Sequence, residues 1–120
     1  MKIAVTSSGS ELISHMDPRF GRAKYFIIVD PKTLDYDVVE NKQNIESAHE
    51  AGIQAANTVV DQKADVLISG NCGPKAYEVL KVAGRTVVTG AKGRVIDAII
   101  QYKSGELQAA DGPNVDEHWF

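Results

Sequence analysis

The sequence predicts one α/β domain, a mixed and mostly parallel sheet covered by helices, and three observations predict it. In the second half, short apolar runs rich in β-branched residues alternate with segments whose apolar residues recur at helical spacing. In the first half, two strand-like runs flank a turn, the pattern of a hairpin rather than a crossover. A chain of 120 residues also buries roughly two-thirds of its unfolded surface, enough for one core without disulfides or metal.

Lys2-Ile3-Ala4-Val5-Thr6 reads as a first strand, short and apolar enough to be buried on both faces. Ser7 to Gly21 is rich in Ser and Gly, contains Asp17-Pro18 and has no sustained period; a loop that long in a compact domain is often functional. Tyr25-Phe26-Ile27-Ile28-Val29 is the strongest strand signal in the chain. Asp30-Pro31-Lys32-Thr33 reads as a turn, and Tyr36-Asp37-Val38-Val39-Glu40 as the antiparallel return. Ser47-Ala48-His49-Glu50 fits a capping box, and Ile53, Ala56, Val59 and Val60 give the helix behind it an apolar stripe.

Asp65-Val66-Leu67-Ile68-Ser69 is a buried-type strand, followed by Gly70-Asn71-Cys72-Gly73 and by Pro74 at a first helical position. Ala76, Val79, Leu80 and Ala83 form the inner face of that helix, and Gly84 closes it. Thr86-Val87-Val88-Thr89 is the next strand, Gly90-Ala91-Lys92-Gly93 a tight loop, and Val95, Ile96, Ile99 and Ile100 the stripe of a last helix ended by Gly105. Leu107 begins a short edge segment. The domain is expected over residues 1–110, with 111–120 as an irregular tail. The order is β-β-β-α-β-α-β-α, with right-handed crossovers between the later strands.

Composition narrows the function classes. A net charge of −3 argues against a protein that coats nucleic acid or an anionic membrane. A single cysteine excludes an intrachain disulfide, a Cys-rich zinc finger and a four-thiolate iron–sulfur cluster. No secretory leader is read at Met1-Lys2, and no apolar run approaches the roughly 20 residues of a membrane span, so a cytoplasmic thiol protein is expected. The phosphate-binding loop G-x-x-x-x-G-K-[ST], the dinucleotide fingerprint G-x-G-x-x-G and a supported Ser-His-Asp set are all missing, so the expectation is a protein that is not an enzyme.

In open α/β sheets ligands collect outside the carboxyl ends of the parallel strands. Three segments leave those ends: Ser7 to Gly21, Gly70 to Pro74, and Gly90 to Gly93. They gather His15, Arg19, Arg22, Cys72, Lys75, Lys92 and Arg94 against few acids, mainly Glu11 and Asp17, so an acidic chain is expected to keep a cationic edge. Cys72 lies two residues before Pro74 at a helix mouth, where amides and the dipole lower a thiol pKa and suit it to metal or to nucleophilic attack. A small residue packed in a tight turn fits the same position. His15, beside Asp17 and Arg19, fits metal ligation, a hydrogen bond to an anion, or plain exposure. His49, in register with Ile53, Ala56 and Val60, reads as a structural histidine, with a helix start at the same edge as the alternative. Arg19 and Arg22 flank Phe20-Gly21; two guanidinium groups suit a multiply charged anion, and they equally suit pairing with acids.

The series His15-Met16-Asp17-Pro18-Arg19-Phe20-Gly21-Arg22-Ala23, His49-Glu50-Ala51-Gly52-Ile53, Gly70-Asn71-Cys72-Gly73-Pro74-Lys75-Ala76 and Val87-Val88-Thr89-Gly90 resembles the dinitrogenase iron–molybdenum cofactor biosynthesis family. This is the NifX/NifY-like group that includes the C-terminal part of NifB, and the resemblance runs from Met1 to about Leu107. It implies a ribonuclease H-like fold, a five-stranded mixed sheet flanked by helices, without nuclease activity. It also implies a protein that binds, carries or protects iron–molybdenum cofactor or its metal–sulfur precursors, with metallocluster donor and acceptor proteins as partners. A small relative holds a mixed molybdenum–copper sulfide cluster noncovalently.

A preassembled cluster brings its own sulfides and negative charge, so the protein needs few soft or imidazole ligands, plus cations and amides. The expected site is His15 and Cys72 as metal ligands, with Arg19, Arg22, His49, Asn71 and Gly73 around a cluster containing iron, molybdenum or both. Many relatives lack a cysteine at the position of Cys72, so the family pattern does not require the thiolate. Two other readings use the same residues: a regulatory protein-interaction module with no cluster, and a small thiol enzyme acting through Cys72.

Overall fold

Ile3–Ser7 (β1) is buried at every residue because it is the middle strand of the sheet and is covered on both faces. The computed structural model describes residues 1–42 and 48–115, with the backbone alone for Ala48 and His49. Around β1 lie Tyr25–Val29 (β2), Tyr36–Glu40 (β3), Val66–Ile68 (β4) and Thr86–Val88 (β5), in the order β3-β2-β1-β4-β5. The helices are Ala48–Asp61 (α1), Pro74–Val82 (α2) and Val95–Lys103 (α3).

The hairpin is antiparallel throughout, with Ile3↔Val29 between β1 and β2 and Val29↔Tyr36 between β2 and β3. The crossover strands are parallel, with Ile3↔Val66 and Val66↔Thr86. The pleat then sorts the side chains. Ala4, Phe26, Ile28, Leu67 and Val87 pack under α1 and α2, whereas Ile3, Val5, Ile27, Val29, Ile68 and Val88 pack under α3. The observed element order is the one expected, and β2 and β3 have the expected bounds.

α2 buries Ala76 and Leu80 as expected, and the faces of α1 and α3 differ in part from the expected stripes. α1 buries Ala51, Ala55, Ala56 and Val59, while Ile53 and Val60 stay half-buried. The reason is close approach: a Cβ on Gly52 would lie 3.5 Å from Ala76 Cβ on α2, so small residues face the seam. α3 buries Val95, Ala98 and Ile99, and Ile100 is 56% exposed. β1 starts one residue later than expected, and β4 and β5 are shorter.

Pro74 opens α2 as expected. Gly84, at φ 76°, closes it with Gly84 N–H on Lys81 O at 3.0 Å and Arg85 N–H on Leu80 O at 2.9 Å. That pair of bonds is a Schellman motif. The edge segment expected after Leu107 is a single antiparallel bridge, Val88↔Ala109, with Ala110 N–H on Val87 O at 2.7 Å. Ser47 of the expected capping box lies outside the described residues. No helix among the described residues is long and apolar enough to cross a membrane.

Candidate functional site

β1, β4 and β5 are parallel, so their carboxyl ends meet at one edge. The segment after β1 is laid across that edge by backbone hydrogen bonds. Val95 N–H donates to Ser14 O and Met16 N–H to Gly93 O, both at 2.9 Å, which ties the segment to the start of α3. Asp17 N–H reaches Thr6 O at 3.1 Å on β1, and Phe20 N–H reaches Asn71 O at 3.3 Å behind β4. Underneath, the buried Thr6 hydroxyl donates to Asp17 O at 2.6 Å and lies 3.1 Å from Ser69 Oγ. Gly70 permits the last step: a Cβ there would come within 2.8 Å of Pro18 Cα.

This path brings His15 beside Arg94, as an antiparallel bridge, and Arg19 beside Asn71, as a parallel one. His15, Arg19, Lys75, Lys92 and Arg94 are exposed, so the cationic edge is present. Arg94 Nε and Nη2 each donate to the Asp97 carboxylate at 2.9 Å, and Arg94 N–H donates to it at 3.0 Å. The guanidinium first, then that backbone N–H, hold the Asp97 carboxyl at about 2, and the charge of nearby His15 acts in the same direction. The same pair raises the pKa of Arg94. Asp17, nearly buried, accepts the Arg19 N–H at 2.9 Å and approaches Arg19 Nε at 3.4 Å.

The remaining expected residues separate. Arg22 is half-buried on the same segment, next to Gly21, where a Cβ would lie 3.2 Å from Gly52 N of α1. His49 is on the first turn of that helix, and its side chain lies outside the described residues. Gly73 is the N-cap of α2 and its carbonyl accepts Tyr77 N–H at 3.0 Å. Asn71 donates from Nδ2 to Pro18 O at 3.2 Å, so its side chain is bound into the loop.

Of the readings open for Cys72, its burial matches the small residue packed in a tight turn. Cys72 is 1% exposed and packs in the core under α1 and α2, with Sγ 3.7 Å from Gly73 O. Its position in the loop is as read, but the side chain turns inward.

Asn114 is a residue the sequence reasoning missed. Its Oδ1 accepts Cys72 N–H at 2.8 Å, its Nδ2 donates to Gly70 O at 3.2 Å and to Asn71 Oδ1 at 3.1 Å, and its N–H donates to Cys72 O at 3.1 Å. The only local signal is Gly112-Pro113-Asn114, a turn-forming triplet whose amide side chain both donates and accepts. Among the described residues no group of three or more His, Cys, Asp or Glu side chains is placed to hold a metal ion.

Residues 1–105 match the family described as dinitrogenase iron-molybdenum cofactor. The chain belongs to that family. The iron–molybdenum cofactor biosynthesis family is thus the setting of the edge just described, and Asn114 lies beyond the matched residues. The chain is similar to the apo form of the orange protein from Desulfovibrio gigas, with 39% identity over 95% of this chain and 96% of that one, at a TM-score of 0.90. It is also similar to a NifB-like protein from Thermotoga, with 37% identity over 90% of this chain and 91% of that one, at a TM-score of 0.77. An uncharacterised protein of Methanocaldococcus jannaschii is 29% identical over 113 residues, 90% of each chain.

Proposed function

We propose that the protein is a non-enzymatic binding or carrier protein for an anionic metal–sulfur cluster, iron–molybdenum cofactor or a related precursor. The cluster is cargo, received from a donor protein and passed to an acceptor. The observation that carries this reading is the donor set at the carboxyl edge. One exposed imidazole, His15, lies among Arg19, Lys92 and Arg94, and no three-ligand group is placed there among the described residues. A bare transition-metal ion needs three or four protein donors. A preassembled sulfide cluster needs neutralising charge, hydrogen-bond donors and as little as one ligand. Among the described residues, the donors fit the cluster and do not make up the three that a bare ion needs.

His15 is the metal ligand in this reading, Arg19 and Lys92 supply positive charge, and Arg94, held by Asp97, flanks His15. Arg22 and His49 flank the same edge, and Asn71 and Gly73 shape its floor. Cys72 supports that floor from below. Family membership and the similarity to the orange protein and the NifB-like protein support the role. The sheet order β3-β2-β1-β4-β5 supports the ribonuclease H-like assignment, and a cytoplasmic site of action goes with the reading.

Anaerobic reconstitution with molybdenum and iron sulfides tests it, read by metal-to-protein ratio and by the charge-transfer spectrum. Wild type is expected to retain metal and sulfide through gel filtration. His15→Ala and Arg19→Ala are expected to lose most of the band, and Cys72→Ser to keep it. Absence of bound metal in wild type, or equal retention in all variants, refutes the reading.

A further inference from the structure

A cavity of about 310 Å³ lies at the other end of β5, between its first residue Thr86 and the last turn of α2. Tyr77, Lys81, Arg85, Thr86, Val87 and Ala110 line it. The volume is in the range of small-molecule sites. Arg85 is built into the Schellman motif that ends α2, at the position after Gly84. That position often carries an apolar residue packed back on the helix. Here it carries a guanidinium whose side chain is only 23% exposed.

The Arg85 Nε is buried and has no hydrogen-bond partner among the described residues. Asp65 Oδ1 lies 3.9 Å from Nη1, beyond hydrogen-bond range, and the other oxygen of that carboxylate accepts the Lys2 N–H at 2.9 Å. A buried donor left unmade in a native fold calls for an explanation, a bound water or ion among them, and the outer guanidinium nitrogens of the same side chain are the ones a molecule in the cavity would meet. Lys81, exposed on the last turn of α2, adds a second cation to the same wall, and no carboxylate is among the lining residues. Against the two cations stand the Asp65 carboxylate, paired with Arg85 at 3.9 Å, and the partial negative charge of the helix C-terminus, about half a unit, two of whose carbonyls are already bonded by Gly84 and Arg85. Tyr77 hydroxyl donates to Ala110 O at 3.2 Å and closes the outer rim.

We infer that this cavity binds a small molecule through an oxyanion, a carboxylate or a phosphate, seated on Arg85 and Lys81. Nothing in it depends on a cluster at the opposite edge.

Two-dimensional ¹H–¹⁵N spectra, titrated at constant ionic strength with inorganic phosphate in one arm and malonate in another, test it against a chloride control. Saturable shifts are expected at residues 81–87 and at Ala109 and Ala110 in at least one arm, and the stronger arm identifies the group. Removing one charge-assisted bond is expected to weaken binding about tenfold or more in Lys81→Met and in Arg85→Met. Lys81 is exposed, so its variant reports even if Arg85→Met does not fold. Shifts no larger than with chloride in both arms, shifts confined to His15, Arg19 and Arg94, or unchanged affinity in Lys81→Met each overturn the assignment.

Discussion

Gly70→Ala is the sharpest single test of how the edge is built. The added methyl would lie 2.8 Å from Pro18 Cα, 2.9 Å from Pro18 Cβ and 3.0 Å from Pro18 O. Two of these are backbone atoms and the third belongs to a ring, so no side chain can swing aside. The turn of Pro18 is also held by Asn71 Nδ2 on its carbonyl at 3.2 Å, and its neighbours by Asp17 N–H on Thr6 O and Phe20 N–H on Asn71 O. Relief requires the segment to lift and these bonds to stretch. Overpacking of this kind costs about 2 kcal/mol, which in a domain of this size lowers the melting temperature by roughly 6–12 °C.

Gly105→Ala is the control. Gly105 has φ 82° with no atom within 4 Å of an added methyl, so its cost, about 1 kcal/mol, comes from backbone conformation alone and falls far from the edge. Thermal and urea unfolding, followed by circular dichroism, measure both. Cluster retention is expected to fall in Gly70→Ala and to be unchanged in Gly105→Ala. A Gly70→Ala protein as stable as wild type would show that Pro18 does not pack on Gly70, and the description of the edge would fail with it.

Asn114→Ala removes the partners of Cys72 N–H and Gly70 O and is expected to cost about 1–2 kcal/mol in urea unfolding, with Asn114→Asp intermediate because the acceptor survives. Asp97 has its folded pKa depressed to about 2, so its contribution to stability is complete above the unfolded value near 3.9 and is lost as pH falls through about 2. The melting-temperature gap between wild type and Asp97→Asn is therefore expected to be constant at neutral pH and to close between about pH 4 and pH 2. Cys72, buried in the core, is expected to resist iodoacetamide in the native protein and to react once urea unfolds it; rapid native alkylation would contradict its placement.

Local signals carried the hairpin and only part of each helix face, for a physical reason. The information for β2, its turn and β3 lies in consecutive residues, so both strands appear with the expected bounds. Which face of α3 is buried depends instead on how closely the helix sits on the sheet. Ala98 fits that gap and Ile100 is left outside, although hydrophobicity alone ranks them the other way. The edge itself was legible because parallel strands must end together. The packing of Cys72 was one of two readings its position allowed, but its bonds to Asn114, 42 residues away, were not legible, because no local pattern spans that separation.

The same bonds decide what kind of anion site the edge is. A helix mouth ordinarily offers backbone amides to an anion. Here Cys72 N–H is taken by Asn114, Arg19 N–H by Asp17, and Met16, Asp17 and Phe20 N–H by carbonyls of the surrounding strands and loops. These five amides are committed to holding the loop down. What faces outward is side chain: the His15 imidazole and the Arg19, Lys92 and Arg94 cations. An edge that commits these amides to its own loop and presents an exposed imidazole beside arginine and lysine side chains is suited to a large, sulfide-rich anion with a metal to ligate.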